Sequence, residues 1–111
     1  MKFSKKLTNA IEEAGFTIEC DDSNVIGFGK YSSEGQDFHF YIDTEEDIGS
    51  FLYNILEYYN GFDVSEETYL WLDEFGHGKN GAPYDMLDVY KDMEECQGFI
   101  YELYEIVKEF C

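Results

Sequence analysis

The stretch Val25–Asp43, VIGFGKYSSEGQDFHFYID, decides the fold class. VIGFGKY (25–31) is rich in β-branched and aromatic residues. SSEGQ (32–36) is a hairpin loop, and DFHFYID (37–43) alternates. The period of two along a strand puts Phe38, Phe40 and Ile42 on one face and His39, Tyr41 and Asp43 on the other. Such a pair of strands belongs to an antiparallel sheet covered on one side only. Gly27 and Gly29, two apart, mark a bulge or a close approach of another group to the backbone.

Upstream, FTIEC (16–20) also alternates, and a turn follows at Asp21-Asp22-Ser23-Asn24. Residues 4–14, SKKLTNAIEEA, place Leu7, Ala10, Ile11 and Ala14 at helical spacing, with Gly15 as the stop. Downstream, Thr44 is the expected cap of a helix, with Asp47 in capping-box position. In EEDIGSFLYNILEYYNGF the residues Ile48, Phe51, Leu52, Ile55, Leu56 and Tyr59 form an amphipathic stripe that Asn60-Gly61 ends. Asp63 and Glu66 open a further helix whose stripe is Val64, Thr68, Trp71, Leu72 and Phe75.

The last helix is expected from Pro83, suited to a first turn, to about Phe110. Met86, Met93, Ile100 and Val107 recur every seventh residue. Val89, Cys96, Leu103 and Phe110 do the same, offset by three. This a/d seam is expected to pack on the rest of the chain rather than on a second copy, which makes a monomer the expected state. The expected architecture is α+β in one domain, 1–111: an N-terminal helix, a three-stranded antiparallel sheet, then three helices on one face of it.

Charge bounds the function. There are 25 Asp and Glu against 7 Lys and no Arg, a formal net charge of −18, and three of the lysines lie in the first six residues. Such a field repels nucleic acid and membranes and attracts basic surfaces. The content is 44% hydrophobic and 19% aromatic, which suits a folded domain rather than an acidic tail. No apolar run approaches the ~20 residues of a membrane span, and the N-terminus lacks the apolar core of a signal peptide. Cys20, Cys96 and Cys111 are an odd set without CxxC, as in a reducing cytoplasm.

The loop DEFGHGKNGAPYD (73–85) holds three glycines and the only proline. It departs from a phosphate-binding loop: Asn80 follows the lysine, Leu72 occupies the first glycine position, and a helix precedes it. It reads as a joint in which Gly76 or Gly78 caps one helix and Pro83 starts the next. Cys20, Cys96, His39 and His77 are the candidate metal ligands, without a ligand spacing. No nucleophile or acid–base motif stands out, so neither an enzyme nor a cofactor is expected.

The acids are patterned. On the last helix, heptad positions c and g carry Asp85, Asp88, Asp92, Glu95, Glu102 and Glu109, a stripe beside the apolar seam. Toward the helix C-terminus such acids oppose the macrodipole, so capping does not account for them. The preceding helix is expected to add Glu66, Glu67, Asp73 and Glu74, and Tyr84, Tyr90, Tyr101 and Tyr104 interleave as interface anchors. Carboxylates in such a row suit a groove built to hold phosphates.

This order of elements, ending in acidic helices and without Arg, resembles the small acidic type II-A anti-CRISPR proteins of phages and mobile elements, several of which mimic DNA; the stretch FDVSEETYLWLDEFGHGKNGAPYDMLDVYKDMEE (62–95) also resembles small acidic proteins carried on bacterial mobile elements. The likeness lies in element order and charge and carries over no individual residue. It implies a non-enzymatic inhibitor in the cytoplasm of a bacterial host. Its partner would be a CRISPR-associated nuclease, bound in the DNA- or PAM-reading cleft, where arginines do the reading. The partner-binding candidates are Asp85, Asp88, Asp92, Glu95, Glu102, Glu66, Glu67, Asp73, Glu74 and Tyr84. Two other classes fit the same composition: an immunity protein or antitoxin that neutralises a basic toxin, and a small zinc-binding protein.

Overall fold

The computed structural model describes residues 2–19 and 24–110. Elements follow in the order α1 (Lys5–Glu13), β1 (Thr17–Glu19), β2 (Val25–Tyr31), β3 (Asp37–Asp43), α2 (Ile48–Gly61), α3 (Val64–Leu70) and α4 (Met86–Lys108). The three strands form one antiparallel sheet in the order β1-β2-β3. Element order and sheet are those expected from the sequence. The turn expected at 21–24 and the positions of Cys20 and Cys111 lie largely or wholly outside the described residues.

Local chemistry sets most boundaries. The Ser4 hydroxyl accepts from the Leu7 amide at 3.1 Å and starts α1. The helix ends in a Schellman turn: Phe16 N–H donates to the Ile11 carbonyl, Gly15 N–H to that of Glu12, and Gly15 takes φ 99°. At α2 the expected cap is corrected. Asp47, not Thr44, is the N-cap, accepting from the Ser50 amide at 2.8 Å and the Ser50 hydroxyl at 2.9 Å. Thr44 still belongs to the strand side, because its amide donates to the Asn24 carbonyl at 2.8 Å.

One face of the sheet is the core face. Ile26, Phe28, Phe40 and Ile42 are buried there, against Phe51 and Ile55 of α2, Leu7 and Ile11 of α1, and the inner side of α4. Full burial of such side chains stabilises by about 1.5–3 kcal/mol each. The α4 seam from Val89 through Met93, Cys96, Ile100 and Leu103 to Val107 is at most 1% exposed. It is used up inside the chain, as its periodicity predicted. Met86, at the first seam position, is 56% exposed, because α4 begins there and has already left the core.

The outer face explains the paired glycines. The register sets Gly27 opposite Tyr41 and Gly29 opposite both His39 and Thr17. A Cβ on Gly27 would stand 2.6 Å from the Tyr41 ring, and one on Gly29 would stand 2.7 Å from His39 and 2.8 Å from the Thr17 hydroxyl. The flanking side chains lie across bare backbone, so these are close approaches and not bulges. His39 is held there between Asp37 (2.9 Å) and Glu19 (3.6 Å).

The region after α3 differs most from expectation. The helix stops at Leu70, and Trp71 is its C-cap. Residues 71–79 then form a small hairpin with a Leu72–Gly78 bridge. Asp73 N–H donates to the His77 carbonyl (2.8 Å) and Lys79 N–H to that of Trp71 (2.9 Å). Phe75, expected on the buried stripe, is 76% exposed at the tip. Gly76 (φ 81°) turns the hairpin rather than capping a helix, and Asn80 (φ 56°) and Gly81 (φ 88°) make the next turn. Pro83 lies before α4, whose N-cap is Asp85.

Candidate functional site

The acidic residues do not form one exposed stripe; packing sorts them into two groups that meet at Asp88. On one flank of α4, Asp88, Asp92 and Glu95 line a cleft of about 360 Å³ with Ser33, Glu34 and Lys91. Here the hairpin loop between β2 and β3 folds down on the helix. Glu95 accepts from the Ser33 amide at 2.8 Å and from its hydroxyl at 2.9 and 3.0 Å. It is thus an internal tether. Asp92 was expected to be exposed and is instead 3% exposed, with no hydrogen-bond partner at either carboxylate oxygen. Burial pushes its carboxyl above the usual range; the Ser32 hydroxyl pulls the other way without completing a hydrogen bond, and Glu95 adds to the rise.

Two helical turns beyond Glu95, Glu102 pairs with Lys30 at 2.6 Å. Lys30 lies on the core side of β2, its ammonium 4.9 Å from the centre of the Phe16 ring and 4.8 Å from that of Phe99. The stem is buried and the charge reaches the rim, where Glu102 meets it. Lys30→Met keeps the stem and is expected to change unfolding free energy by less than about 1 kcal/mol, because Glu102 stays solvated. A thermal melt of the two proteins checks this; a larger loss would mean that the ring–cation contacts hold the β2–α4 packing.

The second group surrounds the junction of α3, the 71–85 loop and the start of α4. Asp85, Asp88, Glu66, Asp73 and Glu74 are exposed, and Glu67 is half-buried. Burial, then Glu66 and Asp63, push the Glu67 carboxyl up. Asp73 accepts from the amides of Phe75 (2.8 Å) and His77 (3.0 Å), and those bonds, His77 first, hold its carboxyl below the usual range. It therefore builds the loop as well as charging it. Tyr84 is 67% exposed and stacks on His77, ring centres 4.1 Å apart.

The sequence reading missed what lies among these acids. Ser65, Thr68, Tyr69 and Leu72 on one side and Met86, Leu87 and Tyr90 on the other line an open, largely apolar groove of about 450 Å³. Tyr69 is 78% exposed, Leu70 65% and Leu87 61%. A second hollow of about 430 Å³ shares Ser65 and Tyr69 and is flanked by Glu66, Glu67 and Leu70. The signal in the sequence was Leu87 and Tyr69, apolar residues that fall off both helical stripes.

The metal candidates among the described residues do not converge. Cys96 is in the core, its thiol pushed up to about 12, mainly by burial and then by Asp92, Glu95 and Glu67. His39 is on the outer face of the sheet, and His77 is stacked on Tyr84. Cys20 lies outside the described residues. Among the described residues no group of three or more His, Cys, Asp or Glu is placed to hold a metal ion, and no helix is long and apolar enough to cross a membrane. Compared with family models, curated proteins and solved structures, the chain matches none.

Proposed function

We propose that this chain is a non-enzymatic inhibitor that occupies the basic nucleic-acid-binding cleft of a nuclease. The CRISPR effectors are the class to which its anti-CRISPR-like layout points. The observation that carries this reading is the setting of the second acidic group. Glu66, Glu74, Asp85 and Asp88 are exposed around a junction that also exposes Tyr69, Phe75 and Tyr84. Exposed carboxylates supply long-range attraction to a basic cleft, and exposed aromatics supply the anchors that give an interface its short-range affinity. Glu95 and Glu102 contribute less, since Ser33 and Lys30 already engage them, and so does Asp92, which is buried.

The test is binding of the purified chain to purified CRISPR effector nucleases across a salt series. Binding should weaken steeply between about 50 and 500 mM salt, because exposed charges are screened. Changing Glu66 and Glu74 to Gln and Asp85 and Asp88 to Asn should weaken it at least about tenfold, while the same number of changes at Glu12, Glu13, Glu46 and Glu109 should not. Equal losses in both variants would reduce the effect to net charge. Binding that is flat with salt, or confined to a toxin of another class, would overturn the reading.

A further inference from the structure

We infer that the groove between α3 and the start of α4 is a docking site for a basic amphipathic segment of a partner protein, taking a bulky apolar side chain between Tyr69 and Leu87 and an adjacent lysine or arginine beside Glu66 and Glu67. The inference rests on the inhibitor reading only in that the partner is basic. Three observations carry it.

The first is that the groove has two compartments of different chemistry. The larger, about 450 Å³, is lined by Leu72, Met86 and Leu87 together with Tyr69 and Tyr90. The other, about 430 Å³, continues past the shared Ser65 and Tyr69 to Glu66 and Glu67. Small-molecule sites are of this size, but an apolar hollow opening directly on paired carboxylates matches a side-chain pair, one aliphatic and one cationic.

The second is charge. Burial and its acidic neighbours raise the cost of keeping Glu67 ionised, and a cation placed beside it offsets that cost. A second copy of this chain is a poor source of that cation, because its 7 lysines are outnumbered by 25 Asp and Glu and each copy carries a net charge of −18. Self-association through this groove would therefore set like charges against each other.

The third is that the apolar residues are not needed by the fold. Tyr69, Leu70, Met86 and Leu87 are each more than half exposed, while the seam beside them is complete from Val89 onward. Contiguous exposed apolar surface of this kind marks an interaction site.

The experiment uses the full chain and three synthetic helical peptides: one of leucine and lysine in amphipathic order, one of the same composition scrambled, and one with the lysines replaced by glutamate. Affinities are measured by titration calorimetry, and the site is located by amide chemical shifts. The amphipathic basic peptide should shift Thr68, Tyr69, Leu72, Leu87 and Tyr90 and bind at least about tenfold tighter than the other two. Leu87→Gln and Tyr69→Gln, both at exposed positions and neutral, should each weaken it by about tenfold with the melting temperature unchanged. Equal affinity for the scrambled peptide, equal affinity for the glutamate peptide, shifts confined to the outer sheet face, or a concentration-dependent dimer that Leu87→Gln dissolves would each overturn the inference. The two readings fail separately. A peptide held in the groove with no nuclease bound removes the inhibitor and keeps the groove. A nuclease bound equally by Leu87→Gln removes the groove and keeps the inhibitor.

Discussion

Gly78→Ala is expected to destabilise the chain by about 3 kcal/mol, the upper end of what overpacking costs, although Gly78 has no positive φ. A Cβ there would run into the carbonyl oxygen of Pro83, with the Pro83 carbonyl carbon 2.8 Å and the Ala82 carbonyl carbon 3.2 Å away. These are backbone atoms, and they cannot swing aside as a side chain does. Gly78 N–H also donates to the Tyr84 carbonyl at 3.0 Å. The crossing of 78 over 83–84 locks the hairpin of residues 71–79 to the approach of α4, and so sets Leu72 against Met86. Gly76→Ala and Gly81→Ala meet nothing within 4 Å. They are expected to cost only the strain of a positive φ, about 1–2 kcal/mol each. Urea unfolding of the three variants separates the two mechanisms. If Gly78→Ala loses no more than Gly76→Ala, the crossing relaxes freely and the groove does not depend on it.

That contrast shows where the sequence was legible. Strand pairing and the α4 seam are written as periodicities, and periodicity reports local geometry: Phe38, Phe40 and Ile42 on one face, and every seam position from Val89 to Val107 inside. The 71–85 loop has no period. Its shape comes from Gly76, Asn80 and Gly81 at positive φ and from a contact between backbones five residues apart. Its glycines announce a turn without saying which. The acidic stripe fails for a different reason. A helical wheel gives the direction of Asp92 and Glu95 but not what stands opposite. The loop of residues 32–36 closes over that flank, and Ser33 reaches Glu95 across 62 positions of sequence. The groove was legible only in reverse, as Tyr69 and Leu87 falling outside every stripe that the core required.

Asp92→Asn is expected to raise stability at neutral pH by about 1–3 kcal/mol, because an ionised carboxylate buried without a partner costs more than a neutral amide in the same place. By the usual relation this is a rise of several degrees in melting temperature. The side chain is 3% exposed and neither oxygen finds a donor. Asparagine keeps its shape and removes the charge that burial and Glu95 penalise. The sign with pH follows from the direction of the shift. An unfolded aspartate titrates near 3.9, and the folded carboxyl titrates higher, so between the two values the folded chain binds the proton more tightly. Stability from this group is therefore full below about 3.9 and is lost as pH rises through the folded value. The gap between Asp92→Asn and the parent should be smallest near pH 3.5 and should open to its full size by neutrality, whatever the exposed carboxylates contribute, since both proteins share them. Chemical unfolding of the pair at several pH values measures it. A gap that is absent at pH 7, or wider in acid, would mean that the ionised Asp92 is held by a favourable contact. The loop of residues 32–36 would then be bonded to α4 through Asp92 as well as through Glu95.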